Sequence, residues 1–132
     1  MIKIMACSVL AVCGILLNTG RTDAAETQMA HIVFFTVDNA TAEAKEKLAE
    51  GCQKYLSGHD GTVYFSVGLR SLDMDRDVND REFDVALHLV FKDKASYDKY
   101  SEHPRHMKFI EEFKSLWSEV RVMDSYVVAK KS

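Results

Sequence analysis

Proline is nearly absent from this chain, one residue in 132, and there are only six glycines. That scarcity excludes a collagen-like or proline-rich extended protein. Cysteine is scarce too: of three residues, Cys7 and Cys13 fall within the first 25 positions. Nor is there an excess of positive charge, since 17 Lys+Arg face 20 Asp+Glu for a formal net charge of −3. Gripping a phosphate backbone requires clustered Lys and Arg, so nucleic acid is not an expected partner. The longest apolar run, residues 4–17, falls short of the ~20 residues that span a bilayer. What the chain does contain is 47% hydrophobic and 28% charged residues. That mixture buries a core and argues against disorder. At this length it describes one domain.

The N-terminus has a pattern of its own. Lys3 precedes the apolar run, and the polar stretch from Asn18 to Asp23 ends in Ala24-Ala25. One positive charge, a short apolar segment and small residues at a cleavage point describe a signal peptide over residues 1–25. A buried first helix is the alternative, but no periodicity here separates an inward face. Export to the periplasm or the medium is therefore expected, with residues 26–132 as the mature domain and no stable membrane insertion after cleavage. Leu10-Ala11-Val12-Cys13 faintly resembles a lipoprotein cleavage box, with bulky Val12 where a small residue is usual, so lipid anchoring is the lesser reading. Without the leader only Cys52 remains. The domain then has no internal disulfide and must stand on packing.

Residues 30–37 are rich in β-branched and aromatic side chains and predict a strand. Its two alternating sets, His31/Val33/Phe35/Val37 and Ala30/Ile32/Phe34/Thr36, are both largely apolar, which suits a strand covered on both sides. Residues 41–56 place Ala44, Leu48, Cys52, Tyr55 and Leu56 at helical spacing, with charged residues opposite, and predict an amphipathic helix. Cys52 on that stripe reads as a small buried hydrophobe, since no neighbouring feature would lower its pKa.

Gly58-His59-Asp60-Gly61 is a turn, and residues 62–69 alternate as a second strand. The Asp-rich connection over residues 71–81 lacks the glycine and closing glutamate of an EF-hand loop and reads as a solvated hairpin loop. Residues 83–91 form the clearest strand, with Phe83, Val85, Leu87, Leu89 and Phe91 on one face. Asp93 can cap a helix carrying Tyr97 and Tyr100. Pro104 suits the first turn of the next helix, whose stripe Phe109, Ile110, Phe113, Leu116, Trp117 predicts helix as far as Trp117. Residues 120–128 make a last strand.

The order β-α-β-β-α-β, with the second helix split at the proline, is that of an α+β ferredoxin-like fold. It has an antiparallel four-stranded sheet with helices on one face. Several strands are apolar on more than one face, and the helices cover only one. A homodimer packed sheet against sheet would bury the remainder.

Chemistry concentrates in residues 97–110. His106 lies three, four and seven residues before Phe109, Ile110 and Phe113, on their inward stripe. Tyr100 stands across the proline break, and His31 shares the first strand's Val33/Phe35 face, so the three can converge on one hollow. Imidazole and phenol in an apolar pocket supply a general base and a proton donor. The competing reading makes His106 a satisfied core histidine and gives His103 a backbone bond near the helix break. Two histidines three apart, without a nearby third ligand, do not make a metal site. His59 and His88 have no such grouping.

His31-Ile-Val-Phe-Phe35, the strand from Phe83 to Phe91, Tyr100-Ser-Glu-His103-Pro104-Arg-His106 and Met123-Asp124-Ser-Tyr126 together resemble the stress-responsive A/B barrel (Dabb) family, over residues 29–128. The His-Pro-x-His element is the most specific part. The resemblance implies a dimeric α+β barrel. One family member, a plant polyketide cyclase, closes a ring by aldol condensation without metal or cofactor. Its catalytic tyrosine and histidine match Tyr100 and His106, a pocket histidine matches His31, and a helix tryptophan matches Trp117. The chain departs from the family at the Gly58–Gly61 turn, at Arg105 and in its long Asp-rich connection.

The expected ligand-contacting residues are His31, Val33, Leu48, Cys52, Leu87, Phe109 and Trp117. The expected function is an exported homodimer binding a small apolar or aromatic ligand between helices and sheet. The alternative is a cofactor-independent cyclase or lyase-type enzyme using Tyr100 and His106 for proton transfer α to a carbonyl. A cavity between the Phe109/Ile110/Phe113 stripe and the sheet is what the second reading requires.

Overall fold

The computed structural model describes residues 27–131. The expected signal peptide lies outside them. The described elements are β1 (Met29–Val37), α1 (Ala42–Leu56), β2 (Thr62–Leu69), β3 (Val85–Phe91), α2 (Lys94–Glu102), α3 (Pro104–Phe113) and β4 (Trp117–Tyr126). A short 3-10 turn, Lys114–Leu116, joins the last two. The strands form one antiparallel sheet in the order β2-β3-β1-β4. This is the ferredoxin-like α+β arrangement that the element order predicts.

Alternation in β1 and β3 fixes which face meets the helices. Met29, His31, Val33, Phe35 and Val37 are buried, as are Val85, Leu87, Leu89 and Phe91. The residues between them are half-buried on the opposite, outer face. On the inner face α1 contributes Leu48, Cys52, Tyr55 and Leu56, and α3 contributes Phe109 and Phe113, to a continuous core.

Each helix begins where the sequence supplies a cap. The Thr41 hydroxyl accepts from the Ala44 N–H at 3.1 Å, and the Asp93 carboxylate from the Ser96 N–H at 2.6 Å. These satisfy amides that a helix start leaves open. His103 caps α3, with Pro104 in the first turn, where its missing N–H costs nothing. The turn before β2 needs Gly61, which has φ +82° and backs directly onto Ser96.

Three expectations change. Trp117 does not extend α3. The helix stops at Phe113, and Trp117 is extended (φ −114°, ψ 144°) as the first residue of β4. The inward stripe continues through the 3-10 turn because Leu116 must also face the core. Its carbonyl accepts from the Asp38 N–H at 2.8 Å, tying the turn to the end of β1. Accordingly β4 runs from Trp117 to Tyr126, not over residues 120–128. Phe83 lies ahead of β3 and packs on Phe34 of the outer face, ring centroids 4.9 Å apart, instead of joining Val85 inside. The Asp-rich connection folds over that end of the sheet, held by Arg121–Asp80 at 2.9 Å and by the Thr36 hydroxyl donating to the Glu82 carbonyl at 2.6 Å.

Candidate functional site

Between the inner face of the sheet and helices α2 and α3 lies a cavity of about 310 Å³. From the sheet come His31, Val33, Phe35 and Leu87, and from the start of β4 Trp117, Val120 and Val122. The helical wall consists of Tyr97, Tyr100, Ser101, His106, Phe109 and Ile110, with Leu56 from α1. Val120 and Val122 face inward by register with Phe35 and Val33, yet both are exposed. The helices leave this edge strand uncovered, so the cavity opens along β4. Its walls are apolar except where His31, Tyr97, Tyr100, Ser101 and His106 meet.

The proline break positions that polar group. His103 and Pro104 end α2 and start α3, so Tyr100 and His106 sit on successive helices with rings 4.8 Å apart. Tyr100 is 2% exposed. Its hydroxyl and His106 Nδ1 are buried and have no hydrogen-bond partner among the described residues. Burial holds the Tyr100 phenol well above its usual pKa, with smaller contributions from Cys52 and Tyr97. It is a neutral donor. Burial also lowers the His106 pKa, opposed by a backbone hydrogen bond at Ser101. That leaves a neutral imidazole with a lone pair on Nδ1 at neutral pH.

A second imidazole closes the site. His31 Nδ1 and Asp124 Oδ1 are 2.6 Å apart. The carboxylate accepts, so His31 Nδ1–H is the donor of this bond. The His31 ring stands 5.2 Å from Tyr97 and 5.9 Å from Tyr100. The register of β1 with β4 places Asp124 directly opposite His31. Chemically, the group combines one phenol donor, the His106 Nδ1 lone pair, a His31 imidazole held by Asp124 and an apolar chamber beside them.

Of the residues singled out from sequence, Tyr100, His106, His31, Val33, Leu87, Phe109 and Trp117 all line this one cavity. Leu48 and Cys52 do not. Both are fully buried in the core, and burial pushes the Cys52 thiol up to about 12. His103 makes the backbone bond considered for it, its Nδ1 accepting from the Arg105 N–H at 3.1 Å.

His59 does have a grouping. It is buried, its Nε2–H donates to the Tyr55 carbonyl at 2.8 Å, and its ring stands 4.9 Å from Tyr100 and 4.8 Å from His103. Sequence reasoning also left Asp124 without a role. The available signal was an acidic residue on the inward side of a strand whose neighbours there, Val120 and Val122, are apolar. Among the described residues, no cluster of three or more His, Cys, Asp or Glu side chains is arranged to hold a metal ion.

The stress responsive A/B barrel domain model matches residues 29–127. Similar solved structures include a Dabb family protein with a ferredoxin-like fold from Mesorhizobium loti. It is 22% identical, covering 79% of this chain and 100% of that chain, at TM-score 0.64. A dimeric ferredoxin-like protein from Thermobifida fusca is 14% identical over 77% and 92%, at 0.63. Hydroxynitrile lyase from Passiflora edulis is 17% identical over 82% and 99%, at 0.64. At such identities the likeness establishes the fold. Among curated proteins none matches the sequence.

Proposed function

The chain belongs to the stress responsive A/B barrel domain family, and from that premise we propose that its cavity binds a small apolar or aromatic molecule through a carbonyl or hydroxyl oxygen. One observation carries this reading: an apolar chamber ends in two buried polar atoms, Tyr100 Oη and His106 Nδ1, that have no partner among the described residues. A buried polar group without a partner costs about 1–3 kcal/mol. A ligand hydroxyl removes both costs at once, accepting from the phenol and donating to the imidazole. A carbonyl accepts from the phenol alone. At about 310 Å³ the chamber is at the small end for ligand pockets and suits one ring with short substituents.

The neutral His106 Nδ1 beside a neutral phenol favours a second reading, cofactor-independent proton transfer. The imidazole takes a proton from the carbon α to a bound carbonyl. The C–H electron pair forms the enolate C=C bond, the carbonyl π pair moves onto the oxygen, and the Tyr100 hydroxyl hydrogen-bonds that oxygen. Returning the proton completes the exchange. The likeness to a hydroxynitrile lyase supports acid–base chemistry in this fold. In this proposal the mature domain is exported and acts as a homodimer formed through the outer face of the sheet, in keeping with the dimeric neighbour.

The test is deuterium exchange at the α carbon of acetophenone, followed by NMR in heavy water. The wild-type protein exchanges it saturably, and His106→Ala loses exchange while its circular dichroism and oligomeric state are unchanged. If His106→Ala unfolds, the residue is a core histidine and the proton-transfer reading fails.

A further inference from the structure

We propose a second binding site, for a small oxyanion, in a separate pocket that shares Tyr100 with the ligand cavity. A separate pocket of about 220 Å³ lies between the Gly58–Gly61 turn, the end of α2 and the start of α3. Its walls include His59, Asp60, Lys99, Tyr100, His103 and Arg105. This site is independent of the function proposed for the first cavity.

Hydrogen bonds already made around the pocket determine what its walls offer. Because His103 Nδ1 accepts from the Arg105 backbone at 3.1 Å, its proton resides on Nε2, which is a donor. Arg105 donates to the Ser57 carbonyl at 2.5 Å and reaches the Lys54 carbonyl at 3.5 Å. The guanidinium is thereby held in place by neutral carbonyl groups. Neither Arg105 nor Lys99 has an ion-pair partner among the described residues. The opposing groups are the Asp60 carboxylate and His59, whose Nε2–H is committed to the Tyr55 carbonyl, which leaves Nδ1 an acceptor.

Two cations and an N–H donor therefore face one carboxylate. That balance selects an anion, and the planar guanidinium suits a carboxylate or phosphate oxygen pair over a spherical ion. The floor is rigid as well: His59 is 7% exposed and locked edge-on against both Tyr100 and His103. An oxyanion bound here would share the Tyr100 side chain with the first cavity.

The experiment follows the imidazole nitrogen resonances of the purified protein by NMR. The protein is titrated with sodium acetate and, separately, with inorganic phosphate, at fixed pH and with ionic strength held constant by sodium chloride to equalise screening. Saturable shifts of His59 and His103, with His88 unmoved, are expected for one or both anions, and the anion that saturates identifies the source as carboxylate or phosphate. Lys99 and Asp60 are exposed, so their variants keep the fold. Lys99→Gln should weaken binding about three- to fivefold, the scale of one exposed charge pair, and Asp60→Asn should strengthen it by a similar factor. Shifts that rise linearly for both anions, or that neither substitution alters, mean an adventitious ion only and overturn the proposal.

Discussion

At the scale of single residues, burial acts on two histidines in the same direction. It is the largest influence on His106 and on His59, and lowers both. In the unfolded chain a histidine titrates near its ordinary value of about 6.5. Between that value and the lowered folded one, the unfolded state binds more protons, so stability rises with pH there. The contribution is complete above about pH 6.5 and is lost as pH falls through that point towards the folded pKa values. Urea midpoints should therefore decline as the medium is acidified below about pH 6.5, and His106→Gln should flatten the decline. A profile identical to wild type in that variant would show that His106 does not titrate differently on folding. Tyr100 and His106 were legible in the sequence because their spacing to Phe109, Ile110 and Phe113 is local. Asp124 was not: its pairing with His31 depends on the register of two strands 93 positions apart in the chain, which no local pattern specifies. His59 was hidden because a Gly-His-Asp-Gly turn reads as solvated, whereas α2 and α3 close over its ring.

At the scale of elements, α1 crosses α3 at Gly51. A Cβ built there would lie 2.6 Å from the Phe113 ring. That ring cannot swing aside freely, since it stacks on Phe109 at 5.3 Å and meets Tyr55 edge-on at 6.0 Å. Gly51→Ala gains about 1 kcal/mol of helix propensity and incurs about 1–3 kcal/mol of overpacking. A net destabilisation of about 1 kcal/mol should appear as a lower urea midpoint, and an unchanged or higher midpoint would mean the ring yields. Helix existence, the start of α2 and the proline break were readable because each has a local signature: periodic apolar spacing, Asp93 and Pro104. The end of α3 was not readable. Leu116 and Trp117 keep the inward stripe although the backbone has left the helix, so hydrophobic spacing alone overran the true boundary. Phe83 misled in the same way, extending the alternation of β3 one step beyond the strand and onto the opposite face.

At the scale of the whole molecule, the helices cover one face of the sheet, while Ile32, Phe34, Ala86 and Val90 remain half-buried on the other. Covering that face with a second copy is the economical solution. Ile32→Glu should convert the proposed dimer to a folded monomer by sedimentation velocity, and a persistent dimer would place the interface elsewhere. The fold was legible at this scale because element order and two-faced apolarity are properties of the whole sequence. The cavity was not, since its volume depends on how far the helices stand from β4. That cavity can be interrogated directly. Trp117, the chain's one tryptophan, lines it and stacks on Phe109 at 5.8 Å. Titration of the protein with phenol and acetophenone, following Trp117 emission, should give saturable quenching, with phenol binding weakened in both Tyr100→Phe and His106→Ala and acetophenone binding weakened chiefly in Tyr100→Phe. Emission that stays flat with both probes, or quenching that both variants retain with unchanged affinity, would contradict a ligand site built on that pair.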